Sequence, residues 1–280
     1  MSSVLIADSG STKTQWCLLQ DGKKKMISTQ GISPYFLNDD SLGIILREEL
    51  APKMANMPVD DIFYYGTGCS NPDNISLIKR GLKKIFPSAK INVQHDLMGA
   101  ARALCGDKKG IACILGTGSN SCFYNGKRIV KNSPGLGFIL GDEGSGSHLG
   151  KKVVQYYLYN TFDAELMEKF QSKYSADASE ILDNVYKRPL PNRYLAEFVS
   201  FLTENRGHYM VENIIEDSLN DFFFNHIYKY RESWSLPINF AGSVAFGFKD
   251  VLAQMCSDFE LTLGTVIKDP MEGLIKYHSN

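Results

Sequence analysis

Three short apolar runs, separated by turns of small or polar residues, open the chain and predict a three-stranded β-meander. The runs cover residues 3–8, 15–20 and 26–30, with lengths and bounding turns typical of strands. Asp21-Gly22-Lys23 forms the second predicted turn. The basic run Lys23-Lys24-Lys25 lies between two apolar strands, so we interpret it as part of a solvated hairpin turn rather than as a binding patch.

Helical and strand patterns then alternate. Apolar residues spaced to share one face predict helices at 39–50, 74–86 and 97–105, and short apolar runs predict strands at 61–65 and 90–94. A meander followed by alternating helices and strands is typical of a mixed sheet flanked by helices.

The same order begins again after a polar, glycine-bounded link at residues 106–110. A strand at 111–115, a glycine-rich turn at 116–121 and a strand at 122–124 are followed by an Asn-Gly hairpin signal and a strand at 128–130. The later pattern predicts a mostly helical stretch at 143–232, a strand at 237–241, a helix at 244–256, a strand at 259–263 and a closing helix at 270–277.

This repetition predicts an α/β protein of two similar domains with a cleft between them. The first domain covers residues 1–106, and we expect the closing segment 268–280 to pack back on it. The second domain covers residues 107–267 and carries a helical insertion.

Composition and charge exclude several classes of protein. The 280 residues are 44% hydrophobic, and 30 basic against 31 acidic residues give a net charge of −1, so no bulk field attracts nucleic acid or an anionic membrane. We find neither a secretory signal nor about 20 consecutive apolar residues, and the six cysteines form no C-x-x-C pair. We therefore expect a cytoplasmic protein with neither nucleic-acid nor membrane partners.

The first chemical motif is Asp8-Ser9-Gly10-Ser11-Thr12-Lys13-Thr14. It is not a Walker A loop, because a predicted strand and not a helix follows it. A hairpin of small residues can still offer backbone N–H groups and hydroxyls to phosphate oxygens, and Asp8 could hold Mg²⁺ through water. A tight turn that binds nothing remains the alternative.

The second turn, at 116–121, stands at the same place in the repeated unit. The pairing suggests two opposed loops that grip one polyphosphate, which neither loop would indicate alone. Asp96 follows a predicted strand and precedes a helix, where it could be a helix N-cap or a general base for phosphoryl transfer to a hydroxyl.

Two further segments are rich in small residues. The segment 135–146 combines glycines with the adjacent carboxylates Asp142 and Glu143, and carboxylates bind neighbouring sugar hydroxyls well because each oxygen accepts hydrogen bonds. The segment 239–245 offers room for an adenine ring against the backbone, or is a simple turn between strand and helix.

Taken in this order, the five segments resemble the sugar kinase, heat-shock protein 70 and actin superfamily. The chain is most similar to the N-acetylglucosamine kinase group within the BadF/BadG/BcrA/BcrD ATPase family. Its most specific motifs are residues 8–14, Leu115-Gly-Thr-Gly-Ser-Asn120 and Gly141-Asp-Glu-Gly-Ser145. The resemblance implies two ribonuclease H-like (actin-like ATPase) domains, each with a mixed five-stranded sheet flanked by helices.

The resemblance also implies ATP and Mg²⁺ as cosubstrate and cofactor, and a homodimer. It assigns catalysis to Asp96 and the metal, through water, to Asp8. The implied ATP contacts are Ser9, Gly10, Ser11, Thr12, Lys13, Thr14, Gly116, Thr117, Gly118 and Gly242. The implied sugar contacts are Asp96, Ser119, Asn120, Gly135, Leu136, Gly137 and Asp142.

The implied reaction transfers the γ-phosphate of ATP to the 6-hydroxyl of an amino sugar, with N-acetylglucosamine as the first candidate. Three departures from the family pattern leave the sugar open: no matching asparagine near residues 33–35, Leu136 in place of a tryptophan, and Gly207-His208 in place of Gly-Asp. Two alternatives are an iron–sulfur ATPase activator of a 2-hydroxyacyl-CoA dehydratase and a non-catalytic nucleotide-binding regulator.

Overall fold

The computed structural model describes residues 3–54, 57–175 and 177–279. Throughout this part of the chain, every helix is too short or too polar to span a lipid bilayer. The described residues form two compact domains, each with its own hydrophobic core.

The first domain is assembled from both ends of the sequence. It comprises Met1–Asp107 and Asp269–Asn280, and the second domain comprises Lys108–Lys268. The second domain is therefore inserted into the first as a single continuous segment.

A five-stranded mixed sheet forms the centre of the first domain, with the strand order β3-β2-β1-β4-β5. The strands β1, β2 and β3 are antiparallel neighbours, whereas β4 and β5 run parallel to β1. Parallel strands end at the same edge of a sheet, so the carboxyl ends of β1, β4 and β5 lie side by side. The strands are β1 (Val4–Ser9), β2 (Lys13–Gln20), β3 (Lys23–Gln30), β4 (Asp61–Gly66) and β5 (Lys90–His95).

Amphipathic helices cover this sheet. In Pro72–Ile85, the buried residues Leu77, Ile78 and Leu82 share one face, and the Asn71 side chain caps the helix by accepting from the Asp73 N–H. The helices are α1 (Asp39–Ile45), which continues as a π-helical turn (Leu46–Leu50), α2 (Ala51–Met54), α3 (Pro72–Ile85) and α4 (Asp96–Cys105).

The C-terminal helix (Met271–His278) completes the first domain by packing on α4. The approach is close at Gly273, where an added methyl group would lie 2.5 Å from the Ala103 carbonyl oxygen. At its end, the His278 Nε2 atom lies 2.8 Å from the Tyr65 hydroxyl. The chain's last helix is thereby fastened to the first domain at both ends.

The second domain repeats this plan, with the strand order β10-β9-β6-β7-β8. Here too, three antiparallel strands are continued by two strands parallel to the first of them. The strands are β6 (Lys109–Leu115), β7 (Ser119–Asn125), β8 (Ile129–Ser133), β9 (Ile238–Ala241) and β10 (Leu263–Ile267).

The core of the second domain is rich in aromatic residues, and Phe170, Phe198, Phe201, Phe222 and Phe223 are almost completely buried in it. The segment predicted as one helix, 244–256, forms two helices instead, and the buried Phe248 lies between them. The helices are α5 (Gly137–Leu140), α6 (Gly146–Leu158), α7 (Ala164–Tyr174), α8 (Ala178–Tyr186), α9 (Pro191–Glu197), α10 (Val199–Glu204), α11 (Tyr209–Asn225), α12 (Ser243–Gly247) and α13 (Lys249–Asp258), with 3₁₀ turns at Ile227–Lys229 and Arg231–Trp234.

The lysine run at 23–25 was wrongly predicted as a turn, because it forms the start of β3 and pairs with residues 18–20 of β2. The turn itself is Asp21-Gly22, whose φ angles are +49° and +74°. Since β3 is an edge strand, its exposed lysines discourage pairing with another chain.

The strand predicted at 259–263 begins later, as Leu263–Ile267. Phe259 instead packs its ring 5.7 Å from that of Phe223, and the Leu261 N–H donates to the Cys256 carbonyl at the end of α13. The apolar residues that suggested a strand are therefore used to close the preceding helix onto the core.

Candidate functional site

The first candidate segment is the hairpin between β1 and β2. Its base is closed by the buried Ser9 and Thr14 hydroxyls, which lie 2.7 Å apart, and Ser9 also donates to the Ile32 carbonyl. At its tip, Gly10 N–H donates to the Lys13 carbonyl, and Thr12 is exposed. The structure therefore separates the predicted ATP contacts into a buried base and a tip that a phosphate group can reach.

Gly31, which the sequence analysis did not single out, supports this hairpin from β3. Its N–H donates to the Thr12 carbonyl at 3.1 Å, and an added methyl group would lie 2.3 Å from the Ser11 carbonyl. Only glycine allows this approach, because the contact is with backbone that cannot turn aside. A glycine directly after the last strand of the meander was the available signal.

Replacing Gly31 by alanine is expected to displace the hairpin tip and lower kcat/KM for ATP by about 100-fold, since misplacing a phosphate contact by about 1 Å has effects of that size. Steady-state kinetics with varied ATP measure the change. Gly247→Ala is the matched control, because a methyl group there meets no atom within 4 Å. Unchanged ATP kinetics in Gly31→Ala would show that the hairpin does not contact the nucleotide.

Two carboxylates meet at the sheet edge next to this hairpin. Asp8 is the penultimate residue of β1, and Asp96 follows β5 as the first residue of α4. The strand ends are in register, because Ser9 pairs with Gly66 and Gly66 pairs with His95. Two carboxylates that are distant in sequence are thus brought to one edge by parallel pairing.

Asp96 is held as well as placed. Its Oδ1 accepts from the Leu97 N–H at 2.8 Å, and Thr67 also donates to it. Burial raises the pKa of the Asp96 carboxyl, against the opposing influence of His95 and these hydrogen bonds. The N-cap position is occupied by His95, whose side chain makes no capping hydrogen bond, and Asp96 is the first residue of the helix itself. A carboxylate with a raised pKa is a better proton acceptor.

Asp269 is a third carboxylate of this group, and no local sequence signal marks it. It begins the C-terminal segment, where it accepts a hydrogen bond from the Gln15 side-chain amide and another from the Met271 N–H. Gln15 lies directly opposite Asp8 across the β1–β2 pair. Burial first, and then the charges of Asp269 and Asp96, raise the pKa of Asp8 to about 7.

These carboxylates fit a magnesium ion. Mg²⁺ is usually held by one or two carboxylates, with water and phosphate oxygens completing the octahedron. Within the described ranges, no three His, Cys, Asp or Glu side chains form an enclosing metal cage. A carboxylate such as Asp8, together with water and phosphate oxygens, could supply a ligand set of this kind.

The second glycine-rich turn is shorter than predicted, because Ser119 to Ser121 already belong to β7. The remaining loop, Gly116 to Gly118, is tied by its backbone to the start of α6: Gly116 and Thr117 carbonyls accept from the Gly146 and Ser147 N–H groups. Gly242 lies against the same loop, with a φ of +128°. A methyl group on Gly242 would lie 2.1 Å from the Leu115 carbonyl oxygen. The structure thus brings together the predicted ATP contacts of the second domain.

The predicted sugar contacts of the second domain also converge. The Asp142 Oδ1 atom accepts from the Ser119 N–H at 3.3 Å, and a methyl group on Gly118 would lie 3.0 Å from the Asp142 carboxylate. A methyl group on Gly135 would lie 3.0 Å from the Ser119 carbonyl and 3.7 Å from the Asn120 side chain. Leu136 and Gly137 continue from Gly135 on the exposed side.

Two features of this group raise the free energy of the folded protein unless other contacts compensate for them. The Ser119 hydroxyl is buried, with 6% of the residue exposed, and has no hydrogen-bond partner among the described residues. Asp142 has a φ of +57°, which non-glycine residues rarely adopt. Burial raises the pKa of the Asp142 carboxyl, while its bond from Ser119 lowers it. The oxygens of a carboxylate such as Asp142 can accept hydrogen bonds from the hydroxyls of a polyhydroxyl ligand.

Both domains have the ribonuclease H-like fold of actin-like ATPases, which hexokinase from Schistosoma mansoni shares at 14% identity, with coverage of 100% of this chain and 84% of that chain and a TM-score of 0.54. A protein from Porphyromonas gingivalis, provisionally named an N-acetylglucosamine kinase, is 40% identical over 98% of both chains, with a TM-score of 0.94. The chain belongs to this N-acetylglucosamine kinase-like family of the sugar kinase, heat-shock protein 70 and actin superfamily.

A second provisionally named N-acetylglucosamine kinase, from Chromobacterium violaceum, has the same fold at 16% identity, covering 99% of both chains with a TM-score of 0.78. No protein-family model and no curated protein sequence matches the chain.

Proposed function

We propose that this protein is an ATP-dependent sugar kinase that phosphorylates the 6-hydroxyl of N-acetylglucosamine. The observation that carries the proposal is the meeting of Asp8, Asp96 and the small-residue hairpin at one edge of the first sheet. This edge supplies a phosphate-binding turn, a metal-binding carboxylate and a proton acceptor, which are the parts that phosphoryl transfer requires. The name of the 40% identical relative supports the choice of sugar.

In the proposed reaction, the 6-hydroxyl oxygen attacks the γ-phosphorus of ATP. The bond between that phosphorus and the β,γ-bridging oxygen breaks, so ADP leaves with the electron pair, and the hydroxyl proton passes to the Asp96 carboxylate. When bound at Asp8, Mg²⁺ supplies positive charge to the phosphate oxygens. Binding energy is used mainly to orient the two substrates.

The remaining predicted residues take binding roles in this proposal. The hairpin and the Gly116–Gly118 loop would bind phosphate through backbone N–H groups, and Gly242 would leave room for the nucleoside. Asp142, Ser119 and Asn120 would bind the sugar. The exposed Gly135, Leu136 and Gly137 would line the same sugar site.

The test is ADP release and phosphosugar formation with a panel of N-acetylglucosamine, glucosamine, N-acetylmannosamine and glucose. We expect kcat/KM to be highest for N-acetylglucosamine, and 6-deoxy-N-acetylglucosamine to inhibit without being phosphorylated. ADP release that is the same with and without every sugar would contradict a kinase function. A higher kcat/KM for another sugar would reject N-acetylglucosamine alone.

The proposal also includes a cellular location and an oligomeric state. We place the enzyme in the cytoplasm, where ATP is available, and we propose that it acts as a homodimer, as the family resemblance implies. Light scattering after size-exclusion chromatography measures the second property. A mass near the 31.3 kDa of one chain would reject the dimer.

A further inference from the structure

The end of α11 forms a scaffold beneath the turn that carries Asp142. Gly144, with a φ of +71°, packs so closely that an added methyl group would lie 2.9 Å from the Phe222 side chain. Asn225 Nδ2 donates to Glu143 Oε1 at 3.1 Å, and His226 Nε2 lies 3.5 Å from Glu143 Oε2. Three contacts from one helix end therefore hold the two residues that follow Asp142.

The other ring nitrogen of His226 contacts a different segment. Its Nδ1 atom lies 3.1 Å from the Ser121 hydroxyl oxygen, which in turn lies 2.8 Å from the Tyr230 hydroxyl. Ser121 directly follows Asn120 in β7. With only 2% of the residue exposed, His226 is thus buried between the neighbours of two predicted sugar contacts.

The chemistry of Glu143 and Ser121 determines which ring nitrogen of His226 carries the proton. The Glu143 carboxylate can only accept, so the proton of a neutral His226 ring lies on Nε2 and faces Glu143. Nδ1 is then an acceptor, and the Ser121 hydroxyl donates to it. Burial lowers the pKa of His226, while Glu143 opposes this shift. The neutral ring therefore contacts both segments, through a hydrogen bond from Ser121 and a longer polar contact of 3.5 Å to Glu143.

We propose that His226 is a positioning residue that fixes Asp142 and Asn120 relative to each other through its polar contacts with Glu143 and Ser121. This inference rests on the proposed function, in which Asp142 and Asn120 bind the sugar. The rarely adopted backbone of Asp142 is maintained only where its surroundings over-determine it, and the bonds to Glu143 contribute to that restraint. His226 itself touches no substrate.

The alternative is a core histidine that only stabilises the domain, and the two roles differ in what they change. His226→Phe keeps a ring next to Phe222, whose ring centroid lies 4.7 Å away, but loses the hydrogen bond from Ser121 and the polar contact with Glu143. If His226 positions the sugar contacts, the KM for the sugar rises by about tenfold or more, while the KM for ATP stays within about twofold. A purely structural role lowers thermal stability without this split.

Two conservative variants separate the bonds. His226→Gln places a donor near the Nε2 position and is expected to restore the Glu143 bond. His226→Asn places an acceptor near the Nδ1 position and is expected to restore the Ser121 bond. Each should recover part of the sugar affinity lost in His226→Phe. If the phenylalanine variant fails to fold, the KM values of the glutamine and asparagine variants against wild type decide the question.

Asp163→Ala is the matched control, because Asp163 caps α7 in the same domain by accepting from the Leu166 N–H and bonds to His208 at 3.0 Å. It should lower the melting temperature without raising the KM for the sugar.

Calorimetric titration with N-acetylglucosamine gives a readout that does not depend on turnover. An unchanged sugar KM in folded His226→Phe, or equal rises of the sugar and ATP KM values, would overturn the proposal. A wild-type protein that phosphorylates no sugar would instead reject the proposed function.

Discussion

Replacing Asp96 by asparagine is expected to lower kcat by about 100- to 10,000-fold while leaving the Kd for ATP unchanged. The range is that of a lost general base. Asparagine keeps the size of the side chain and can still accept from the Leu97 N–H, so the start of α4 should be preserved. What it loses is the ability to take the proton of the attacking hydroxyl.

The measurement combines coupled-assay kinetics with a direct titration of ATP binding. Asp107→Asn, in the same domain and exposed, is the matched control and should retain wild-type turnover. Because burial raises the pKa of Asp96, wild-type kcat/KM should fall at acid pH with a midpoint above the ordinary value of 3.8. Wild-type turnover in Asp96→Asn with normal ATP binding would show that this carboxylate is not the base.

Replacing Asp8 by asparagine is expected to reduce activity by at least about 100-fold and, at the same time, to stabilise the fold. Activity falls because the residue proposed to hold the metal loses its charge. Stability rises because Asp8 is brought close to Asp269 and Asp96 with its charge poorly solvated. In metal-free buffer at pH 8, the free energy of unfolding should increase by about 2–4 kcal/mol.

The pH dependence follows from the sign of the shift. In the unfolded chain Asp8 ionises near 3.8, whereas in the folded protein it ionises at about 7. Ionisation therefore favours the unfolded state increasingly between these values and by a constant amount above pH 7. The stability gain of Asp8→Asn should be complete above pH 7 and shrink as the pH falls toward 4. Chemical denaturation at several pH values checks this, and a variant less stable than wild type at pH 8 would contradict it.

Much of the fold could be predicted because short stretches of sequence encode its strands and turns, and because the same order of elements occurs in both domains. Each sheet begins with apolar runs separated by glycine-rich turns, and both runs and turns are visible in short windows. The strand at Leu263–Ile267 was misplaced because Phe259 and Leu261 look like strand residues but serve the end of α13. Local pattern reports that a residue is buried, but not which surface buries it.

The residues of the candidate site also fall into two groups: those that a local sequence pattern marks and those that only contacts between distant segments reveal. Asp8 and Asp96 could be found because Asp8 lies at the end of a strand before a turn, and Asp96 lies between a strand and a helix. Asp269, Gly31 and His226 could not, because their relevance comes from contacts with distant segments: Gln15 for Asp269, Ser11 for Gly31, and Glu143 with Ser121 for His226. Whether the predicted contacts bind substrate stays a prediction until the kinetic experiments are done.

The division of the chain into domains has a consequence for its biosynthesis. The second domain, Lys108–Lys268, is a continuous segment, so it can fold as soon as it leaves the ribosome. The first domain begins to emerge earlier but lacks the helix Met271–His278, and with it Asp269, until the whole of the second domain has been translated. The group of carboxylates Asp8, Asp96 and Asp269 at the edge of the first sheet is thus completed only after the second domain has been synthesised.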